Sequence, residues 1–301
     1  MKFKAKYLFV ALLAITACGE KKSEGKQKET TISGTTLIAV DESCQPIVDE
    51  EAFIFKSLNE GANLNIVYGS ENRAVRMLLN DSVRLAILSR KLSTQEERIL
   101  INRNLAPLVD RFAVDAVALI VNNASVDTLI TVSELKSMLN GKTKTELNIV
   151  FDNPNSSLVR YLKAFSGSAD LKGRNIYALK DNKEVIKYVS QHTNAIGITG
   201  FSWLNDPDDD FADAVKKVKL VGVKDDSNKT EYFKPSQSTL ALKQYPLTRD
   251  LYIVNSTGKQ GLGSGFAYFL LGEKGQRILL QSGILPDSIP TREVNIIKKN
   301  K

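Results

Sequence analysis

Short apolar, β-prone runs alternate along the chain with longer stretches whose apolar positions recur at helical spacing. Thr36–Val40 (TLIAV), Leu64–Tyr68 and Val83–Leu88 predict buried strands. Helical periods follow each of them, from Pro46 through Phe55, over Arg73–Leu79, and over Thr94–Asn102 with Ser93 or Thr94 as cap. The apolar stretch 108–121 predicts one strand near Ala106–Phe112 and another near Ala116–Val121. Val132–Asn140 predicts a helix with Ser133 and Glu134 near its start and Gly141 at its end, and Lys183–Gln191 predicts another. Further strands are expected at Ala195–Thr199, Leu220–Val223, Glu231–Phe233 and Leu251–Val254, with helices over Gly265–Leu271 and Gly275–Ser282. Strands alternating with helices imply an open, mainly parallel α/β sheet, whose ligands bind beyond the carboxyl ends of the strands.

The most informative stretch is Leu147–Lys163, LNIVFDNPNSSLVRYLK. Leu147, Ile149, Val150 and Phe151 form a strand pattern, Asp152–Asn155 a turn, and Leu158, Val159, Tyr161 and Leu162 a helical period that starts at two serines. First-turn N–H groups of a helix have no partner within it, and the helix dipole adds partial positive charge there, so this layout suits an anion. The same residues also suit simple capping by Asn155 or Ser156. Ser43 and Ser89 fall at comparable strand ends.

Composition narrows the classes. With 301 residues, 43% of them apolar, the chain can bury a sizeable core. The formal charge of +7 overstates the globular part, because basic residues gather at the ends, in Lys2, Lys4 and Lys6, from Lys21 to Lys28, and in Lys298, Lys299 and Lys301. No basic stripe with interleaved aromatics occurs between them, so nucleic acid is not an expected partner. MKFKAKYLFVALLAITAC carries a basic start, an apolar run from Tyr7 to Ile15 too short to span a membrane, and small residues before Cys18. It predicts a signal peptide over 1–17. Ile15–Cys18 resembles a bacterial lipobox, which implies lipid on Cys18 and a flexible tether over 18–33. Cys44 would then lack a disulfide partner.

Six segments in order resemble the phosphate-binding protein of bacterial phosphate ABC transporters (PstS-like), within the type II periplasmic binding-protein superfamily. They are VRLAILSRKLSTQEE from Val83, VDAVALIVN from Val114, LITVSELKSMLNG from Leu129, NAIGITGFSW from Asn194, YPLTRDLYIV from Tyr245, and Phe266–Arg292. The resemblance implies two α/β lobes joined by a two-strand hinge, with mixed, mainly parallel sheets. Lobe 1 would be 34–113 plus 247–301 and lobe 2 would be 114–246. The expected protein is a monomeric, non-enzymatic receptor on the extracytoplasmic face of a bacterial envelope, anchored through Cys18. It would hold inorganic phosphate or a related oxyanion between the lobes for an ABC permease, without cofactor or metal.

Carried over residue by residue, the resemblance places the anion on Ser43 and Cys44, on Glu71, on Ser89, and on the turn Asn155, Ser156 and Ser157. This sequence departs from the family in three places. Glu71 stands for a serine, Ser89 for the carboxylate that accepts the proton of hydrogen phosphate, and Phe151 for an arginine. Glu71 is expected to accept that proton itself or to pair with Arg73 or Arg90, and Arg90 is the candidate for the missing cation. Arg160 is expected on the surface or in a helix pair.

Other readings stay open beside this one: a sensor without a permease, a receptor for tungstate or sulfate, and an extracytoplasmic phosphoester hydrolase. Asp206, Asp208, Asp209 and Asp210 lack calcium-loop spacing, and Gly261, Gly263 and Gly265 precede no P-loop lysine. His192, the sole histidine, is expected to be exposed, and Trp203 to pack.

Overall fold

The computed structural model describes residues 29–143, 146–171, 173, 175–205, 207–227 and 231–289; the expected signal peptide and Cys18 lie outside them. The chain opens with β1 (Gly34–Asp41), a 3-10 turn (Glu42–Cys44), α1 (Gln45–Leu58), β2 (Ala62–Gly69), α2 (Glu71–Leu79), β3 (Leu85–Leu88) and α3 (Thr94–Ile101). A long strand, β4 (Leu108–Asn122), leads to β5 (Leu129–Thr131), α4 (Val132–Leu139), β6 (Asn148–Phe151), α5 (Ser157–Ser166), β7 (Ile176–Ala178) and α6 (Asn182–Gln191). Then come β8 (Ala195–Gly200), a second 3-10 turn (Phe201–Leu204), α7 (Ala212–Val215), β9 (Val218–Leu220), β10 (Gly222–Lys224) and α8 (Gln237–Ala241). The chain returns through β11 (Thr248–Asn255) to α9 (Leu262–Leu271), α10 (Glu273–Gln281) and β12 (Leu285–Pro286).

The main sheet runs β2-β1-β3-β11-β4-β8-β6-β7, with β9 and β12 also on β4. Pairing is parallel within each wing, β2-β1-β3 and β8-β6-β7, and antiparallel wherever β4 or β11 takes part. These two strands join the lobes. β11 pairs with β4 from Leu108 to Ala116, and β8 takes over from Val117. Two strands were expected at 106–121, but the chain forms one. Asp115, which lies between the two expected strands, faces Arg249 in register and is buried with it.

Each wing is covered on both faces. In β1, Ile38 and Val40 enter the main core and Ala39 enters the cluster under α2 and α3. In β4, Leu119 and Val121 join the main core and Ile120 packs under α6. This two-faced burial explains the unbroken apolar runs of these strands. Capping boxes start α3 at Ser93–Glu96 and α4 at Thr131–Glu134, so Thr131, not Ser133, caps α4. The expected strand at 231–233 is reduced to one bridge, Val223 with Phe233, and β5 and β7 arise where no strand was expected. Residues 29–33, assigned to the tether, pack on α9: Glu29 accepts the Leu262 N–H at 3.2 Å and supplies the cap that Gly261 cannot.

Candidate functional site

Three carboxyl ends of lobe 1 strands and one of lobe 2 converge at the hinge. After β1, Asp41 accepts the Ser43 N–H at 3.2 Å and fixes the 3-10 turn that presents the Ser43 hydroxyl. After β6, the turn 152–156 delivers Ser157 to the first position of α5. The Ser43 and Ser157 hydroxyls, 114 residues apart in sequence and both 1% exposed, meet at 3.0 Å.

At the turn before α5, Ser156 is the cap, its hydroxyl accepting the Val159 N–H at 3.1 Å and donating to Asp152. Asn153 takes the amides of Asn155 and Ser156 through its side chain and carbonyl. The amide supply therefore lies one residue further on than the sequence suggested. Among the described residues the N–H groups of Ser157 and Leu158 have no partner. At α2, Ser70 makes no side-chain cap, and the N–H groups of Glu71 and Asn72 are likewise free.

The cations differ from those expected. Arg249, 5% exposed, donates to Asp115 from Nε at 3.1 Å and Nη2 at 2.7 Å, and from Nη1 to the Ser43 hydroxyl at 3.0 Å. Burial alone would favour losing its proton, but the surrounding negative groups, Asp115 foremost and Asp41 among them, together outweigh this and raise its pKa. A Cβ on Gly200 would lie 2.6 Å from Arg249 Nη2, so the close approach of β8 needs glycine there. Sequence reading missed Arg249. Its signal was its place on the Leu251 and Ile253 face of a period-2 strand, opposite an acid at the same phase.

Arg160 is not a bystander. It reaches across from α5 to Glu71, Nε to Oε2 at 2.6 Å and Nη2 to Oε1 at 3.2 Å. Arg90 also meets Glu71, at 3.2 Å, but binds Glu96 through two bonds of 2.8 and 2.9 Å. That pair holds the Glu96 carboxyl down at about 2. Ser89 donates to Glu71 at 3.0 Å. Glu71 thus pairs with Arg90 as foreseen and with Arg160 as not foreseen, and Arg90 is committed to two carboxylates. Cys44 packs in the main core, fully buried, which pushes its thiol well up.

A cavity of about 240 Å³ opens between α2 and α5, lined in part by Glu71, Asn72, Asn155, Ser156, Arg160 and Lys163. Asp41 is raised by burial and by the charge of Glu71, and Asp152 is pushed up to about 7 by burial. Trp203, in the 3-10 turn after β8, packs in the core as expected, and its indole N–H also donates to the Ser43 carbonyl at 3.2 Å. His192 is half-buried and stacks on Tyr188, not exposed.

A family model described as a PBP superfamily domain matches residues 25–274. The chain belongs to the PBP superfamily. The superfamily to which the sequence pointed is thereby borne out. No curated protein matches the chain. Among solved structures, a protein of Clostridium perfringens crystallised with bound phosphate and named as a phosphate ABC transporter substrate-binding protein is 19% identical, covering 85% of this chain and 100% of that one at a TM-score of 0.70. An ABC-type phosphate transport receptor from Vibrio cholerae is 17% identical over 84% of this chain and 100% of that one, with a TM-score of 0.64. The CcmR regulatory domain of Synechocystis PCC6803, in complex with 2-PG, is 12% identical over 79% of this chain and 96% of that one, with a TM-score of 0.54. At these identities the PBP likeness establishes the fold, and function rests on the site.

Proposed function

We propose that this protein is a non-enzymatic, lipid-anchored receptor on the extracytoplasmic face of the membrane. It captures inorganic phosphate, or a closely related oxyanion, between its lobes and delivers it to an ABC permease. The lobes comprise about 34–113 with 247–301, and 114–246, and Cys18 carries the lipid.

The observation that carries this reading is the meeting of Ser43 from lobe 1 and Ser157 from lobe 2 at 3.0 Å. Free N–H groups at the starts of α5 and α2 lie to one side, and the buried Arg249 lies behind. Hydroxyls, helix N-termini and a guanidinium together replace an oxyanion's water shell. They come from both lobes, so a bound anion favours the closed arrangement.

Calorimetry with phosphate, arsenate, sulfate and tungstate tests the proposal, on protein starting at Glu29 so that the α9 cap is kept. Phosphate binding at about 1 μM or tighter, roughly 8 kcal/mol, supports it. Heat with none of the four, or turnover of a chromogenic phosphoester, overturns it. A sensor without a permease is the second reading, favoured by the regulatory domain that shares this fold. Phosphate uptake lost on deletion of the protein and restored by its return decides for transport.

A further inference from the structure

Glu71 is the feature of the cleft that an anion receptor does not need. It is 2% exposed and sits at the first position of α2, where a free helix N-terminus would serve a ligand. Its carboxylate takes the guanidinium of Arg160 through two bonds, 2.6 and 3.2 Å. Ser89 donates to it at 3.0 Å and Arg90 at 3.2 Å. A planar guanidinium meeting two oxygens of one anion is the geometry by which arginine holds phosphate or sulfate. Glu71 belongs to lobe 1 and Arg160 to lobe 2, so the pair also joins the lobes as a bridging ligand would. Arg160 has no other acid partner among the described residues, whereas Arg90 is held by Glu96 as well.

We infer that Glu71 is a tethered competitor of the captured anion: it occupies Arg160 and holds the lobes together, and the anion binds by taking Arg160 from it. This inference rests on the oxyanion reading of the cleft and adds the residue that limits affinity. A serine at this position would offer a donor and no charge. The carboxylate instead repels an incoming anion and ties up the nearest exposed cation. The receptor therefore binds more weakly, and releases its cargo more readily, than the rest of its donor set would allow.

The test is a pair of variants with two readouts. Glu71→Gln keeps the size of the side chain and an acceptor for Ser89 but removes the charge; Arg160→Gln removes the cation. Anion affinity is measured by calorimetry. Lobe separation without anion is measured by small-angle scattering and by the emission of Trp203, the single tryptophan, whose indole bonds Ser43 across the lobes. The expected result is opposite movement in affinity and like movement in shape. Glu71→Gln binds phosphate about tenfold more tightly or better, Arg160→Gln binds it more weakly, and both give a more open protein. A merely structural Glu71 would lower affinity in both. Equal or weaker binding by a folded Glu71→Gln overturns the inference, and Glu71→Ser repeats the measurement should the glutamine variant fold poorly. If no oxyanion binds even the wild type, the oxyanion reading fails by itself. The shape readout then still decides whether the pair closes the lobes, and unchanged scattering overturns that part too.

Discussion

Replacing Arg249 with methionine removes a guanidinium buried at the crossing of the lobes and leaves Asp115, paired beside β11, with one donor among the described residues, the Ser202 N–H at 3.3 Å. Breaking a buried pair from one side costs about 3–5 kcal/mol, because the surviving charge has lost both water and partner. The lost bond to Ser43 adds about 1 kcal/mol. Set against the roughly 5–15 kcal/mol that holds a protein folded, this is a large fraction. With a denaturant slope of about 2–3 kcal/mol per M in urea, the unfolding midpoint should fall by about 2 M. Urea titrations followed by both Trp203 emission and far-ultraviolet circular dichroism would check the value and whether the lobes unfold together. Methionine at 249 with leucine at 115 should recover most of the stability, since an apolar pair of similar volume is often neutral or better in such a place. Phosphate affinity should stay low in both variants, because Ser43 has lost its cation either way. A cost below about 1 kcal/mol for the single change would refute the buried-pair argument. Full anion affinity in the double variant would refute the role given to Arg249 at the site.

Ser157→Ala should weaken phosphate binding by about tenfold, the worth of one hydrogen bond to a charged group, with little change in melting temperature; unchanged affinity would place the anion elsewhere. Glu51 of α1 is 1% exposed, and neither carboxylate oxygen has a hydrogen-bond partner among the described residues. Burial, helped by the charge of Glu50, pushes it up to about 9, so the wild type loses stability as pH rises from the unfolded value near 4.5 through 9. Glu51→Met should therefore stabilise the protein by about 1–3 kcal/mol near neutral pH, the gap over wild type widening toward pH 9, as denaturant midpoints at several pH values would show. Asp152, at about 7 in the folded protein against 3.8, adds a fall in stability of roughly 3–5 kcal/mol between pH 4 and 7. Asp152→Asn should flatten that segment of the stability curve, and an unaltered slope would refute the assignment.

Most of the strands and helices were legible in the residues themselves, though not β5, β7 or the single long strand β4. Apolar runs such as TLIAV and LAIL read as buried strands, and the serines before Leu158 as the start of a helix, suited to an anion or to simple capping. Six ordered segments were enough for the superfamily. These signals are local: each depends on residues within one turn or one strand of each other. Which charges meet is visible only in the folded chain. Asp115 and Arg249 are 134 residues apart in sequence and Glu71 and Arg160 are 89 apart, and nothing near any of them announces its partner. Asp115 drew no notice in the sequence and Arg160 was expected on the surface or in a helix pair, because a lone charge in a sequence carries no mark of burial. The pairing of β11 with β4 sets the first couple in register, and the approach of α5 to α2 across the cleft sets the second. Pairing of this kind follows from strand order and lobe closure, which arise from the whole chain folding, so the site's cations became visible only once the strands were in place.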